Sequence, residues 1–167
     1  KLVNFDQQER RRTSSELKNS QAIQAGFLDS ALFVEGISDK YTYGSIINRK
    51  KMIDASVEFG IVDCGGNDKI ADHVKFAYDI GTKVAVVTDF DTLYDVKERG
   101  GEKVPIIVPI MQSLRLPDDL ISQAKILRPK LVQSRMKTSG LSTPGISADV
   151  LRDSAEFINK LRVHGIF

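Results

Sequence analysis

The stretch of sequence that decides the fold reads Lys83-Val-Ala-Val-Val-Thr-Asp89-Phe-Asp91. Its first part is almost entirely β-branched or small and apolar, which predicts a strand buried on both faces of a parallel sheet. Two carboxylates follow the strand, two residues apart. Because alternate side chains of an extended backbone point to the same side, we expect Asp89 and Asp91 to project together from the end of the strand.

Two similar units precede this strand. The first reads Ala31-Leu-Phe-Val-Glu35, an apolar run that ends in a carboxylate, and Gly36 begins a turn into a predicted helix. The second runs from Val57-Glu-Phe-Gly-Ile-Val-Asp63 through a glycine-containing loop into a helix that Gly81 ends. Three such units within the first 91 residues predict a doubly wound α/β core, with a mostly parallel sheet flanked by helices.

The segments that flank this core are predicted to be mainly helical. Thr13-Ser-Ser-Glu16 has the spacing of a capping box, which starts a predicted helix over residues 13–29. After the core, a polar loop and a strand over residues 104–109 precede helical segments that prolines such as Pro129 interrupt. The predicted organisation is a lead-in helix within 1–30, an α/β core at 31–110, a helical insertion at 111–146, and a final helix with the start of a last core strand at 147–167.

Composition narrows the classes of protein that fit. With 167 residues and 41% hydrophobic content, the chain can bury the core of one domain. It contains no apolar run of about 18 residues and no signal-peptide core, so we expect a soluble, cytoplasmic protein that does not contact membranes. One cysteine, Cys64, and two histidines are too few for a Cys/His zinc site. Any metal should therefore be held by oxygen.

Positive charge increases toward the end of the chain. Residues 1–91 carry 12 basic and 14 acidic side chains, whereas residues 92–167 carry 12 basic and 8 acidic ones. Residues 125–137 contain five cations and no acid. This stretch is a candidate for contact with DNA phosphates, in which case binding would weaken with salt. A solvated helix face is the alternative interpretation.

Carboxylates follow all three predicted strands. In open α/β sheets, functional groups gather beyond the carboxyl ends of the strands, where Glu35, Asp63, Asp89 and Asp91 fall. Asp39 lies one helical turn after Glu35. Converging carboxylates repel one another unless a cation neutralises them, and Mg²⁺ or Mn²⁺ prefers such oxygen ligands. Two such ions can assist phosphoryl displacement, so the pattern predicts phosphodiester chemistry.

Simpler interpretations compete for each carboxylate taken alone. Acidic residues after strands often solvate loops or cap helices. Asp39 could merely interact with a helix N-terminus, at roughly 0.3–1 kcal/mol. Asp63 and Asp68 are expected to contribute supporting contacts rather than metal ligation. The glycines of the loop at 65–66 could bring backbone N–H groups to a phosphate or simply make the turn. Only the combination of carboxylates in order favours a metal site.

Two motifs carry a family resemblance. Leu32-Phe-Val-Glu35-Gly36, followed by Val86-Val-Thr-Asp89-Phe-Asp91, resembles the signature of Toprim domains, which topoisomerases, bacterial primases, small recombination proteins and a nuclease family share. Within that group, Val34-Glu-Gly-Ile-Ser-Asp39 resembles the form found in the overcoming-lysogenization-defect (OLD) nucleases and their Gabija-type relatives. The resemblance covers residues 20–167 and implies a Rossmann-like Toprim fold with a C-terminal helical insertion.

By this resemblance, Glu35, Asp39, Asp89 and Asp91 are the metal ligands of two Mg²⁺ or Mn²⁺ ions, and Glu35, Asp89 and Asp91 are catalytic. The implied activity is DNA endonuclease cleavage by metal-activated water. The chain has no Gly-x-x-x-x-Gly-Lys-Ser/Thr loop, so an ATPase partner would lie in another domain or chain. A homo-oligomer and a role in antiviral defence are further expectations. Residues 164–167 resemble the start of the last core strand, which suggests a fragment cut before a final acidic motif.

Several assignments stay open at this point. The family uses a lysine to stabilise developing charge, and Lys125, Lys130, Lys137 and Lys160 are equal candidates. Nucleotidyl transfer, as in primase-like or topoisomerase Toprim proteins, is a second possible function. It would need a nucleotide-binding surface or a nucleophilic tyrosine that the sequence does not identify. A third possibility is a non-catalytic module that binds metal and nucleic acid.

Overall fold

The computed structural model describes residues 23, 25–50, 58–99, 101–137 and 147–167. Most of the helix predicted over 13–29 and the end of the predicted insertion, 138–146, lie outside these residues. The contacts of the chain divide it into two compact units, unit 1 (residues 1–87) and unit 2 (residues 88–167). None of the helices in the described ranges is long and apolar enough to cross a membrane.

Unit 1 is a parallel sheet flanked by helices, as predicted. Its three described strands lie in the order β2-β1-β3 and are all parallel. The register places Phe33 of the central strand beside Val62 and Val86 of its neighbours. The elements in chain order are β1 (Ser30–Val34), α1 (Ile37–Lys50), β2 (Phe59–Asp63), α2 (Asn67–Ile80) and β3 (Lys83–Val86). The α/β fold class is therefore confirmed.

The core of unit 1 forms around the central strand. Phe33 and Val34 of β1 are completely buried, as expected for a strand with neighbours on both sides and helices on its faces. Helix α2 presents Ile70, Val74 and Ala77, which recur at helical spacing and have no exposed surface. The apolar periodicity of the sequence therefore corresponds to the buried side of this helix.

Strand β3 is shorter and more exposed than its sequence predicts. It ends at Val86, its one fully buried residue, and Val84 and Ala85 are partly exposed. The prediction of burial on both faces was therefore wrong. Among the described strands of unit 1, β3 pairs with β1 alone, and this edge position leaves its outer side less covered. Residues 87–89 have no regular secondary structure.

The described part of unit 2 contains a short 3₁₀ helix, a hairpin and three α-helices. The strand predicted over residues 104–109 ends at Pro105. Pro109 lies instead in the first turn of a helix, where the missing N–H of proline removes no helical hydrogen bond. The polar loop before it contains an unpredicted strand, in which Glu98 lies opposite Lys103. The elements are a 3₁₀ helix (Phe90–Leu93), β4 (Val96–Arg99), β5 (Glu102–Pro105), α3 (Ile107–Ser113), α4 (Asp118–Lys137) and α5 (Ala148–Arg162).

Helices α4 and α5 pack against each other. Leu127 and Leu131 of α4 and Phe157 and Leu161 of α5 are buried. Helix α4 continues through the exposed Pro129, so the predicted interruption there was wrong. A proline inside a helix removes one backbone hydrogen bond, and the carbonyl released at an exposed position can bind water instead.

Polar contacts also join the two helices. The Lys130 Nζ lies 2.9 Å from the Asp153 Oδ2, and the Lys160 Nζ donates to the Gln123 Oε1 at 2.8 Å. Two of the four lysines that were open candidates for a catalytic role therefore link α4 to α5. Lys125 is exposed, and the side chain of Lys137 lies outside the described part of the chain.

Candidate functional site

The first pair of predicted ligands lies at the carboxyl end of β1. Glu35 directly follows this strand, and Asp39 lies in the first turn of α1. Both residues are partly exposed. The Asp39 Oδ2 accepts the backbone N–H of Gly36 at 3.2 Å, so the carboxylate reaches back to the residue beside Glu35. This contact satisfies one of the N–H groups that a helix start leaves without a partner.

The loop after β2 is tied to the same strand end. Asp63 ends β2, and its Oδ1 accepts the N–H of Gly65 at 2.8 Å. The N–H of Gly66 donates to the carbonyl of Glu35 at 2.8 Å. Both glycines have positive φ angles, 69° and 133°, which residues other than glycine rarely adopt. Since both N–H groups already have partners, the structure favours the turn-forming role for these glycines over phosphate binding.

Cys64 in this loop is a buried thiol with a raised pKa. The side chain is 2% exposed. Burial raises the pKa of the thiol to about 12, and the negative charge of Asp63 adds to the effect. Because the thiolate, not the thiol, attacks substrates, the protonated Cys64 is not an activated nucleophile.

The second pair of predicted ligands lies in a turn of unit 2. Asp89 is exposed and extended, with φ −72° and ψ 156°, and it caps the 3₁₀ helix Phe90–Leu93, which contains the partly buried Asp91. The expectation of one extended backbone through both residues was therefore wrong. A 3₁₀ helix has three residues per turn, so the two-residue alternation of a strand does not relate these side chains.

Backbone hydrogen bonds hold the Asp-x-Asp turn, which we define as residues 89–93. The carbonyl of Asp91 accepts N–H groups from Tyr94 at 2.9 Å and Asp95 at 2.8 Å. The next carbonyl group after the turn, that of Tyr94, accepts the Nε–H of Arg128 at 3.0 Å. One partly buried cation of the basic stretch 125–137 thus contacts the residue that follows this turn.

Sequence reasoning missed Arg128, Thr88 and Thr92 as functional candidates. The carbonyl of Asp89 accepts the hydroxyl of Thr92 at 2.8 Å. Threonine and serine hydroxyls often bond to backbone groups three or four residues away, so the Asp89-to-Thr92 spacing was an available signal. No local signal connects Arg128 with Tyr94, which precedes it by 34 residues.

The donor set fits a hard divalent cation. Within each unit, the described residues include no group of three or more His, Cys, Asp or Glu side chains that could hold a metal ion. Each unit does contain a pair of predicted ligands, and all four offer carboxylate oxygen. Mg²⁺ keeps several waters and commonly takes only one or two carboxylates from a protein. These residues therefore suit Mg²⁺ or Mn²⁺ by their donor chemistry.

Comparison with known families agrees with the motifs. A family model described as "Overcoming lysogenization defect protein-like, TOPRIM domain" matches residues 27–91, which include all four predicted ligands. No curated protein and no solved structure matched the chain. Toprim domains typically bind divalent metal ions and are commonly catalytic. With its parallel α/β fold and these motifs, the segment 27–91 is therefore similar to the OLD-like Toprim domains.

Proposed function

We propose that this chain is the nuclease part of an OLD-type protein and hydrolyses DNA phosphodiester bonds with Mg²⁺ or Mn²⁺. The observation that carries the proposal is the pairing of β1 with β3 in parallel, with Phe33 opposite Val86. Parallel pairing brings the carboxyl ends of both strands to one edge of the sheet of unit 1. Along the chain, each strand end is followed within five residues by two carboxylates.

The proposed metal ligands are Glu35, Asp39, Asp89 and Asp91. When bound, divalent ions lower the pKa of a water molecule and neutralise the charge that develops on a phosphodiester. Four carboxylates carry four negative charges, which match two divalent cations. The exposed carboxylate of Asp89 is accessible to ions and water, and the protonated Cys64 offers no competing nucleophile. Water is therefore the proposed attacking group, without a covalent intermediate on the protein.

Unit 2 offers surfaces for the proposed partners. DNA is the proposed substrate, and among the basic residues of this stretch whose side chains the structure describes, we propose that the exposed Lys125 on α4 meets its phosphates. Arg128 and Lys130 of the same stretch contact groups within unit 2 instead. We propose an ATPase domain, in the same or another chain, as the protein partner. A cytoplasmic location and a role in antiviral defence belong to the same proposal.

Cleavage of supercoiled plasmid tests this function. The wild-type chain is incubated with Mn²⁺, with Mg²⁺ and with EDTA, beside the double variant Asp89→Ala/Asp91→Ala. The matched control is Asp118→Ala/Asp119→Ala, which removes two exposed carboxylates from the start of α4. We expect metal-dependent nicking or linearisation by the wild type and the control, and none by the first variant.

The products distinguish the alternatives. Cleavage that persists in the Asp89→Ala/Asp91→Ala variant would show that the ligand assignment is wrong. Extension of a primer from added nucleotides would indicate the transferase function instead. Salt-dependent DNA binding without any covalent change would indicate a binding module.

A further inference from the structure

A buried hydroxyl group lies at the centre of the Asp-x-Asp turn. Thr92 is 1% exposed, although its side chain is polar. Its Oγ1 lies 2.8 Å from the carbonyl oxygen of Asp89 and 2.7 Å from the Oγ1 of Thr88. Buried polar groups cost free energy unless they are hydrogen-bonded, and here both neighbours satisfy the hydroxyl.

The two threonine hydroxyls and the Asp89 carbonyl form one hydrogen-bonded group, in which each oxygen lies within hydrogen-bond distance of the other two. The Thr88 Oγ1 is 3.0 Å from the same carbonyl oxygen. Each hydroxyl has one proton, so one of them donates to the carbonyl while the other donates to its partner hydroxyl. The backbone N–H of Thr92 also donates to this carbonyl, at 3.2 Å. The oxygen of Asp89 is thus held by a backbone group and by the threonine pair (Thr88 and Thr92).

This group restrains the backbone from which the Asp89 side chain projects. The carbonyl orientation defines the ψ angle of Asp89, which is 156°. Asp89 is exposed, so packing around its side chain does little to orient it. Thr88 is itself anchored, since its N–H donates to the carbonyl of Phe167 at 3.0 Å. Hydrogen bonds to the backbone of Thr88 and Asp89 therefore restrain the start of the turn.

We propose that Thr92 is a positioning residue for the carboxylates of Asp89 and Asp91, a role that rests on the metal-binding function proposed above. Its hydroxyl holds the peptide between Asp89 and Phe90 in one orientation before any ion binds. A pre-organised ligand loses less conformational freedom on binding, so the ion binds more tightly. Removing the hydroxyl leaves all four carboxylates present but the turn less ordered.

The test measures Mn²⁺ binding to the whole 167-residue chain by calorimetry without DNA. Thr92→Val keeps the shape of the side chain and removes the hydroxyl, whereas Thr92→Ser keeps the hydroxyl. Loss of a group that orients a metal ligand typically weakens metal binding about 10- to 100-fold. We expect about 10-fold weaker Mn²⁺ binding for Thr92→Val and near wild-type binding for Thr92→Ser.

Thr82→Val is the matched control. Thr82 is also buried, and its hydroxyl donates to the carbonyl of Ala25 at 3.1 Å, but it precedes β3 instead of following it. Circular dichroism monitors the thermal unfolding of each variant. We expect Thr82→Val to lower the melting temperature without changing the Mn²⁺ affinity. If Thr92→Val does not fold, Thr88→Val removes the other hydroxyl of the same pair and takes its place.

The outcomes separate this role from the proposed function. If the wild type binds Mn²⁺ and Thr92→Val binds it equally well, the positioning role is refuted while the metal site stands. A loss of affinity in Thr82→Val as large as that in Thr92→Val would also refute it, because the effect would then be general. A wild type that binds no Mn²⁺ would overturn both proposals.

Discussion

The two pairs of predicted ligands are held in different ways. In the region of Glu35 and Asp39, a carboxylate itself forms the restraining contact, because the Asp39 Oδ2 accepts the N–H of Gly36. In the Asp-x-Asp turn, the threonine pair holds the carbonyl group of Asp89, while the Asp89 side chain is exposed. One region is ordered through a side chain and the other through the backbone.

This difference shows two ways to prepare a carboxylate for a cation. A carboxylate that already bonds to an N–H must share its oxygens with the ion, but it contributes to the stability of its helix. A carboxylate on a restrained backbone keeps both oxygens available and contributes little to stability. Variants of the two regions should therefore affect folding and metal binding in different proportions.

The largest effect is expected from removing the charge of Glu35. Glu35→Gln keeps the size of the side chain but replaces a carboxylate that the proposal assigns to the metal. We expect Mn²⁺ binding to weaken by more than the roughly 10- to 100-fold that loss of a supporting contact causes. Calorimetry measures the affinity, and Glu58→Gln, an exposed glutamate before β2, is the control. Equal affinity in Glu35→Gln and the wild type would remove Glu35 from the ligand set.

An intermediate effect on stability is expected from Arg128. Arg128→Met keeps much of the aliphatic stem but removes the Nε–H that donates to the Tyr94 carbonyl. Hydrogen bonds from charged groups contribute roughly 1.5–3 kcal/mol. Since Arg128 is only partly buried, we expect a loss of about 1.5 kcal/mol in the free energy of unfolding.

Urea denaturation measures this loss, with Lys125→Met as the control. Lys125 lies on the same helix and is exposed, so its substitution should change stability by less than about 0.5 kcal/mol. A similar loss in both variants would show that the contact with Tyr94 adds nothing specific to the turn.

The smallest effects on stability are expected from one alanine variant in each of the two regions, which allows a direct comparison. Asp39→Ala removes the bond to Gly36 and an acidic residue from the first turn of α1, so we expect a loss of about 1 kcal/mol in stability. Asp89→Ala removes an exposed side chain, and we expect a change below about 0.5 kcal/mol. Chemical denaturation in EDTA isolates folding from metal binding. If Asp89→Ala were the more destabilising variant, the contrast between the two regions would be wrong.

Much of the fold was predictable because its signals are local. The apolar run before Glu35 and the helical periodicity of Ile70, Val74 and Ala77 identify elements whose buried faces the structure confirms. The same periodicity also predicted that Ile80 faces the core, which was wrong, because Ile80 is 37% exposed at the end of the helix. Gly81 ends α2 in a left-handed conformation, as its position after the periodic segment predicted. The Toprim motifs likewise lie in single short stretches, and the family match confirms the resemblance that they carry. The assignment of four carboxylates to the metal stays a prediction.

Other features depended on contacts between distant segments. The exposure of β3 follows from its place at the edge of the described sheet of unit 1, which the composition of that strand does not encode. The continuation of α4 through Pro129 accompanies its packing against α5. Both predictions failed because a local preference was weaker than the tertiary environment.

The sequence by itself determined the order of the strands and helices that the structure describes in unit 1, and that carboxylates follow those strands. Spacing and composition suffice for this, since each pattern is read from neighbouring residues. The tertiary structure decided how the carboxylates are presented. The backbone at Asp89 turns into a 3₁₀ helix, and the guanidinium of Arg128 reaches a carbonyl 34 residues away. Such contacts depend on how the whole chain folds, so no short stretch of sequence contains them.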